Sequence, residues 1–350
     1  MLADLRLQNY RAYNNDSFEF TPGVNIIVGP NASGKTNLLE AILVIARGSS
    51  YRSKDTELVK FDQQWARLDS NLANGQQRTV KILVEPSPQK TFELDGKIYK
   101  RLMLNNSLPV VLFEPNNLQL LSGGPERRRE YLDDLLEQTT PGYSGLKRKY
   151  KRALAQRNAL LKQPQNKQSQ MFPWDIRLSE LAGQIVKVRT QLVSQLDEHV
   201  GRLYVELSKT KTMVQLNYLS RWGVDSYESS LLKELESTLE LDKLRGYTGA
   251  GPHREDFGVM FDSHPAQETA SRGEVRTVVL TLKITELRLV EDARGSTPLL
   301  LLDDVFSELD GKRRHTLIDY LTKYQTFITT TDADLVVQHF TESCNIIPLG

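Results

Sequence analysis

Two short segments, far apart in the chain, carry the residue types that bind a nucleoside triphosphate and its metal. Residues 29 to 36 read Gly-Pro-Asn-Ala-Ser-Gly-Lys-Thr. They match the pattern G-x-x-x-x-G-K-[ST], in which the backbone N–H groups of a glycine-rich loop surround phosphate oxygens. Lys35 would add a mobile positive charge, and Thr36 would place its hydroxyl on Mg²⁺. The predicted nucleotide contacts are Gly29, Pro30, Asn31, Ala32, Ser33, Gly34, Lys35 and Thr36.

The sequence on either side of this loop supports the assignment. Residues 24 to 28 predict a buried strand, and residues 37 to 46 predict a helix. Leu38, Ile42 and Ile45 fall on one face of that helix. Because the motif requires a strand before the loop and a helix after it, this context argues against a chance match in a surface turn.

The second segment, residues 299 to 304, consists of four leucines followed by Asp303 and Asp304. The leucines predict a core strand, and two adjacent carboxylates at its end repel each other unless a cation lies nearby. Asp303 is therefore the predicted Mg²⁺ ligand beside Thr36, directly or through water. Asp304 is placed to orient or deprotonate the attacking water, so Asp304 and Lys35 are the predicted catalytic residues. A turn or helix-cap role for Asp304 is the alternative.

Composition indicates a soluble protein. The chain has 350 residues, of which 39% are hydrophobic, enough for one large or two ordinary domains. The single cysteine, Cys344, excludes an internal disulfide, and no apolar run approaches the roughly 18 residues that a membrane helix needs. We expect a cytoplasmic protein that does not itself cross a membrane.

Charge points to a polyanionic partner only locally, because 45 lysines and arginines nearly balance 44 acids. Residues 143 to 162 contain seven basic residues and no acid, which predicts a basic stripe on a helix. Aromatic residues are sparse there, so contact with duplex phosphates is favoured over base stacking. A solvated helix face is the alternative. The candidate DNA contacts are Lys147, Arg148, Lys149, Lys151, Arg152 and Arg157.

The order of patterns along the chain predicts an α/β fold in which one domain interrupts another. Strand and turn patterns fill the first hundred residues, helical periodicity runs from residue 123 to about 244 with a break at 163 to 173, and strand patterns then return. The two halves of the nucleotide site flank the helical stretch. We therefore predict a discontinuous ATPase domain, residues 1 to 120 plus 247 to 350, and a helical domain of antiparallel, coil-like helices, residues 121 to 246.

A third motif narrows the class of nucleotide protein. Residues 271 to 274 read Ser-Arg-Gly-Glu before a predicted helix and resemble the signature of ATP-binding-cassette ATPases, although that signature usually has Gly at position 272 and Gln at 274. The resemblance implies an ABC-type ATPase head that binds ATP and Mg²⁺. It also implies that Ser271 and Gly273, at a helix N-terminus, face the γ-phosphate held by a partner subunit, hence a homodimer.

Two further roles of the superfamily have candidates in this chain. Thr329, Thr330 and Thr331 end a predicted strand where the superfamily places a switch residue, commonly histidine. A threonine hydroxyl can bond phosphate or water but cannot act as a base, and ordinary strand propensity explains three threonines equally well. Glu114 is a candidate for the residue that contacts Mg²⁺ and water after an early strand.

Longer blocks resemble one family, the RecF ATPases of bacterial DNA replication and repair. Residues 115 to 133 are similar to its signature around Gly-Gly-Pro and Arg-Arg, and residues 5–11, 50–53, 251–256 and 303–310 are similar as well. The resemblance covers nearly the whole chain. It implies a weak ATPase that dimerises on ATP and binds duplex DNA at single-strand gaps. It also implies that RecR and RecO are partners in loading RecA, in support of the SOS response.

Two other classes share part of this pattern. The ATPase subunit of a membrane transporter has the same cassette motifs, but it has only a short helical segment between them, whereas more than one hundred helical residues intervene here. A coiled-coil scaffold of the chromosome-maintenance type would need helical arms hundreds of residues longer. The length of the insertion therefore favours the DNA-repair hypothesis.

Overall fold

The computed structural model describes residues 1–163, 168–332 and 344–350. The chain divides into two compact units. The first consists of Met1–Asn117 and Leu287–Gly350, and the second of Leu118–Glu286. In the described residues no helix is long and apolar enough to span a membrane.

An antiparallel sheet of six strands belongs to the first unit. Its strands alternate between the core and solvent; in β4, for example, Ala66, Leu68 and Ser70 are buried and their neighbours are not. This period of two is expected where one face of a sheet covers a core. In spatial order the strands are β2 (Tyr13–Glu19), β1 (Asp4–Tyr10), β4 (Trp65–Asn71), β5 (Gln77–Leu83), β6 (Gln89–Leu94) and β7 (Lys97–Tyr99).

A parallel sheet of five strands carries the nucleotide motifs. Its three central strands are almost entirely buried, as expected when helices cover both faces of a parallel sheet. The order is β14 (Asn345–Pro348), β3 (Val24–Val28), β13 (Thr326–Thr330), β12 (Leu299–Asp303) and β8 (Val110–Phe113). The register places Thr329 beside Asp303 on one side and Ile27 on the other. The carboxyl ends of β3, β12 and β13 therefore meet at one edge.

Helix α1 (Lys35–Arg47) connects the phosphate loop to the core. It begins after Gly34 and ends before Gly48, both in the left-handed conformation, which suits a glycine because no Cβ opposes it. Its residues from Leu38 to Ala46 are all buried. The other helices of this unit are α9 (Val305–Glu308) and α10 (Gly311–Leu321), and the boundary between the units falls within α8 (Arg272–Arg294).

The second unit is mainly helical. Contacts join the end of α3 to the start of α4, as between Arg157 and Asp175, so the two helices are antiparallel as predicted. Its elements are α2 (Pro125–Thr139), α3 (Tyr143–Leu161), α4 (Gln168–Ser208), β9 (Val214–Leu219), α5 (Tyr227–Ser237), α6 (Leu239–Arg245), β10 (Asp256–Phe261), β11 (His264–Pro265) and α7 (Ala266–Thr269). Short 3-10 turns occur at Asp55–Leu58, Leu104–Asn106, Pro115–Gln119 and Val224–Ser226.

The helical stretch is not continuous. β9 lies inside it and pairs antiparallel with β10 over six residues, so the prediction of unbroken helix up to residue 244 was wrong there. The signal was the alternation of Val214 and Leu216, both buried, with exposed neighbours. This pairing also explains why the second compact unit continues to Glu286, whereas the predicted helical domain ends at residue 246. Of the predicted break, residues 164–167 lie outside the described part of the chain, and α4 already includes Pro173.

Two blocks of the family resemblance meet through Arg128, which is 3% exposed. Its guanidinium contacts both carboxylate oxygens of Asp256 at 2.7 to 3.1 Å. It also donates to the carbonyls of Leu120, Leu121 and Gly123, which closes the loop before α2. A planar guanidinium with five donors suits this arrangement. The residues of these two blocks that contact Arg128 therefore have a structural role within the second unit.

Arg157 is not part of the exposed basic surface, which corrects its prediction as a DNA contact. It is 0% exposed, and its guanidinium contacts Asp175 at 2.6 Å, Asp242 at 2.7 Å and the hydroxyl of Thr248 at 2.8 Å. Lys147 is half-buried and pairs with Glu137 and Asp133. The counter-charges come from other elements, so a window of acid-free sequence could not reveal them. Four predicted contacts on α3 are exposed, namely Arg148, Lys149, Lys151 and Arg152.

Replacing Arg157 with alanine should therefore destabilise the fold and should not act through DNA. Removing one partner of a buried ion pair leaves charges without compensation, which costs about 3–5 kcal/mol. Urea unfolding of Arg157→Ala measures this change. The exposed neighbour provides the control, because Arg152→Ala should alter the unfolding free energy by less than about 0.5 kcal/mol. An Arg157→Ala variant of unchanged stability that binds DNA less tightly would restore the original assignment.

Candidate nucleotide-binding site

The phosphate loop has the tight geometry that its glycines predict. A Cβ on Gly29 would lie 2.2 Å from the carbonyl oxygen of Leu349 and 2.6 Å from the hydroxyl of Ser33, so no larger residue fits. Gly34 has φ 101°, a conformation that side chains oppose. The hydroxyl of Tyr13 donates to the Gly34 carbonyl at 3.1 Å and holds the turn from outside the motif.

Two polar side chains of the loop are poised for an anion. The Lys35 ammonium donates to the carbonyls of Gly29 at 2.6 Å and Pro30 at 2.8 Å, which holds it against the loop. The hydroxyl of Ser33 is buried without a hydrogen-bond partner in the described part of the chain. A buried hydroxyl without a partner is costly, and a phosphate oxygen would satisfy it. The loop therefore fits the phosphates of ATP.

Asp303 joins the two predicted halves of the site. The Thr36 hydroxyl donates to Asp303 Oδ1 at 3.0 Å, and the Thr329 hydroxyl donates to the same oxygen at 2.7 Å. Asp303 is 9% exposed at the carboxyl end of β12. The hydrogen bond between Thr36 and Asp303 thus joins residues that are 267 positions apart in the chain.

Asp304 has the unusual backbone conformation of a positioned residue. Its φ is 51°, in the left-handed region that few non-glycine residues adopt. Its backbone N–H donates to the Thr329 hydroxyl at 2.9 Å, and α9 begins directly after it. Its side chain makes no helix-capping hydrogen bond. Backbone strain of this kind occurs at functional sites, where the surroundings hold it.

The three threonines occupy different environments. Thr329 lies between the two aspartates, as described above. The Thr330 hydroxyl bonds to the backbone of Asp332 and stabilises the turn after β13, and Thr331 is exposed. Of the three, only Thr329 contacts the aspartates directly.

Thr36 and Asp303 provide a fitting pair of oxygen ligands for Mg²⁺. This cation usually takes one or two protein oxygens together with phosphate oxygens and water. The described residues contain no cluster of three or more histidine, cysteine or acidic side chains that would form a dedicated protein cage. The pair therefore suits a metal that arrives with a nucleotide.

Tyr51 is a contact that sequence reasoning missed. Its hydroxyl lies 3.4 Å from Asp303 Oδ2. Burial, followed by the charge of Asp303 and a smaller effect of Glu114, raises the pKa of Tyr51 above its ordinary value, so the phenol keeps its proton. Glu114 therefore lies close enough to influence the site. Tyr51 belongs to one of the blocks that resemble the RecF family, and that is the signal that could have identified it.

Behind the loop, Glu40 is buried in α1 and holds two arginines. Arg11 contacts both of its carboxylate oxygens at 3.0 Å, and Arg52 contacts them at 3.1 to 3.2 Å. Burial alone would raise the pKa of Glu40, but hydrogen bonds from Arg11, Arg52 and Ser50 hold it below its ordinary value. Because Glu40 lies one helical turn after Thr36, this cluster anchors the start of α1 next to Asp303 and the loop. A carboxylate within the apolar run of residues 38 to 46 was the signal for it.

The predicted signature motif forms a reciprocal cap at the start of α8. The Ser271 N–H donates to the Glu274 carboxylate at 2.8 Å, and the Glu274 N–H lies 3.3 Å from the Ser271 hydroxyl. This is the capping box expected of Ser-x-x-Glu. Arg272 and Gly273 form the first turn between them. Glutamine, the usual residue of the signature, could make the same cap, so the change to Glu274 keeps this local structure.

One of the exposed basic residues of α3, Lys149, borders a cavity of about 610 Å³ in the second unit. Lys149 lines it from α3, and Arg177 and Lys187 line it from α4. Sequence reasoning missed the two α4 residues because they lie among acids and apolar residues. No aspartate or glutamate lines the cavity, so its surface suits phosphate groups.

Comparison with known proteins agrees with this geometry. The profile of the RecF/RecN/SMC N-terminal domain family matches residues 1–347. The DNA replication and repair protein RecF of Symbiobacterium thermophilum is 36% identical over 354 residues, which cover 97% of this chain and 94% of that protein.

Two solved structures are similar as well. One, the recombination mediator protein RecF-ATPrS in the RecFOR pathway, has a TM-score of 0.89 at 31% identity and covers 99% of this chain and 96% of that one. The other, the SmcHead bound to the C-winged helix domain of ScpA, has a TM-score of 0.53 at 14% identity over 96% of this chain and 91% of that one. It shows likeness of fold alone. The predicted ABC-type ATPase fold is thereby confirmed, and the chain belongs to the RecF family of DNA replication and repair proteins.

Proposed function

We propose that this protein is a weak ATPase whose ATP-bound homodimer closes on duplex DNA at single-strand gaps and opens after hydrolysis. The observation that carries the proposal is Asp303, which holds Thr36 of the phosphate loop and Thr329 in one cluster. Family membership supports a role in replication and recombinational repair.

Each residue of the cluster has a role in this proposal. ATP, when bound with Mg²⁺, supplies the phosphoryl group that is transferred to water. Lys35 would leave the loop carbonyls and neutralise phosphate charge, while Thr36 and Asp303 would hold the metal. Asp304 would orient or deprotonate the attacking water, and Thr329 acts as a positioning residue because it fixes the Asp304 backbone.

The homodimer follows from the signature motif. Ser271 and Gly273 would face the γ-phosphate bound by the other copy, so each ATP site needs two chains. The Glu274 carboxylate and the Ser271 hydroxyl accept from these N–H groups in the single chain, so the phosphate of the other copy would take the place of the Glu274 carboxylate at the positive end of the helix dipole. The solved RecF-ATPrS structure contains a chain that is similar to this one.

The exposed face of α3 would contact DNA through Arg148, Lys149, Lys151 and Arg152, with Arg177 and Lys187 of α4 beside them. Contacts of this type neutralise phosphates and do not select a base sequence. Because a RecF relative is described within the RecFOR pathway, we also propose RecR and RecO as partners, RecA loading as the outcome, and support of the SOS response as its consequence in the cytoplasm.

Two substitutions at the ATP site should change the dimer in opposite directions. Lys35→Met should prevent ATP-driven dimerisation because the phosphates lose their mobile cation. Asp304→Asn should retain ATP and trap the dimer because water is no longer activated. Sedimentation with and without ATP measures both, and Lys54→Met, an exposed lysine outside the loop, is the control. A Lys35→Met protein that dimerises normally, or an Asp304→Asn protein with unchanged turnover, would contradict these roles.

Salt dependence tests the proposed DNA surface. Lys149→Gln should weaken duplex binding and reduce the slope of log K against log salt by about 1, because one fewer counterion is released. Fluorescence anisotropy from 50 to 200 mM salt, roughly the range over which such binding changes steeply, gives the slope. Lys97→Gln, an exposed lysine on β7 of the first unit, should leave it unchanged. Equal slopes for the wild type and Lys149→Gln would show that α3 is not part of the DNA interface.

The function as a whole is tested by ATP hydrolysis with no DNA, with blunt duplex and with gapped duplex at one salt concentration. We expect duplex to stimulate hydrolysis. Hydrolysis that no DNA changes, together with co-sedimentation with membranes, would favour a transporter subunit instead. If no DNA changes the rate of hydrolysis and the protein does not associate with membranes, neither function is supported and only the similarity of fold to the family remains.

A further inference from the structure

A second cavity of the helical unit is built from arginines and aromatic rings. Its volume is about 380 Å³, within the range of small-ligand sites. Arg221, Trp222 and Arg254 line it, together with the Gly249–Ala250–Gly251 segment. The proposed ATP site and the α3 surface do not use these residues.

Both arginines stack on aromatic rings. The Arg254 guanidinium lies 4.8 Å from the centre of the Tyr247 ring, and the Arg221 guanidinium lies 5.5 Å from that of Trp222. Tyr247 is 43% exposed, so part of its surface is accessible to a ligand. Each guanidinium thus lies at cation–π distance from a ring, and arginine and aromatic side chains both offer flat surfaces to a further planar group.

The wall of the cavity is preorganised. Asn158 Oδ1 accepts from both the N–H and the hydroxyl of Thr248, and the N–H of Gly249 donates to Asp242. His253 is hydrogen-bonded to the Tyr150 hydroxyl at 2.7 Å and to the Thr248 carbonyl. These contacts fix the loop between α6 and β10 on the buried side of α3, so a ligand would meet a formed surface.

Three charged residues line the cavity, the arginines Arg221 and Arg254 and the acid Glu255. Arg245 lies against Gly249, since a Cβ there would be 3.3 Å from its guanidinium. Neither Arg245 nor Arg254 has an ion pair with a carboxylate of the residues that the structure describes. The acids nearby are already engaged: Asp242 with Arg157, Glu255 with the hydroxyls of Tyr218 and Ser220, and Glu234 with Arg221.

We propose that this cavity binds an unstacked nucleotide of single-stranded DNA, with the base against the Arg–aromatic surfaces and the phosphate at Arg245 and Arg254. The inference rests on the proposed DNA-binding function and adds the element that a single-strand gap requires. Single-strand sites elsewhere combine aromatic stacking platforms with positive charge in this way. The basic face of α3, in contrast, offers charge without exposed aromatic rings.

Exposed leucines on α6 provide the competing explanation. Leu241 is 43% exposed and Leu244 is 87% exposed, as a protein-docking surface would be. Neither lines the cavity, whereas two arginines and an indole do. The cavity itself therefore favours a flat, anionic ligand.

The test compares an Arg245→Gln/Arg254→Gln protein with the wild type on three fluorescent ligands: a thymidine oligonucleotide, a gapped duplex and a blunt duplex. Affinity for the oligonucleotide should fall by about tenfold, the preference for gapped over blunt duplex should disappear, and blunt-duplex affinity should change little. Both side chains are exposed, so the fold should survive. The control Lys211→Gln/Lys233→Gln removes the same number of positive charges from two exposed lysines and should behave as wild type.

A second variant addresses stacking alone. Trp222→Phe retains the packing on Tyr227 but offers a smaller ring, and it should lower oligonucleotide affinity without changing blunt-duplex affinity. The inference is overturned if the double variant keeps its gap preference, if it loses both duplex forms equally, or if it loses only RecR binding. A wild type that binds no duplex would instead refute the proposed function.

Discussion

The register of the parallel sheet is the constraint on which the candidate ATP site depends. Pairing of β12 with β13 places Asp303 beside Thr329, and pairing of β13 with β3 brings both to the end of the strand that enters the phosphate loop. A slip of one residue would turn every side chain of the shifted strand to the other face of the sheet. The hydrogen bonds from Thr36 and Thr329 to one carboxylate are therefore a consequence of backbone pairing, and the Glu40 cluster then fixes the start of α1 beside it.

The helical unit uses buried charge for a different purpose. Arg128, Arg157 and Arg189 are each at most 5% exposed, and each bonds at least one carboxylate. Such groups contribute little net stability compared with apolar packing, but misplacing one of them leaves an uncompensated charge. We infer that they specify how the helices and loops of this unit pack. The basic residues left over for ligands are those on the outer faces.

Much of the fold could be predicted, because it depends on local pattern. The predicted strand at residues 24–28 coincides with β3, the strand predicted from the four leucines lies in β12, and the loop motif identified the start of α1. β9, β14 and the burial of Arg157 were missed for one reason, since each depends on partners remote in sequence. A short strand such as β14 carries little pattern of its own. At the candidate site, motif spacing predicted Asp303 beside Thr36, but not Tyr51 or Glu40, whose roles appear only when the chain is folded.

The position of β14 and β13 on either side of β3 also sets an order of events during synthesis. The phosphate loop is translated early, whereas Asp303 and both strands that flank β3 come from residues 303 to 348. Contacts of such long sequence separation close late in folding. The helical unit, whose contacts lie within residues 118 to 286, can fold before them. A nascent chain would thus acquire its proposed DNA surface before Asp303, β13 and β14 are in place to form the proposed ATP site.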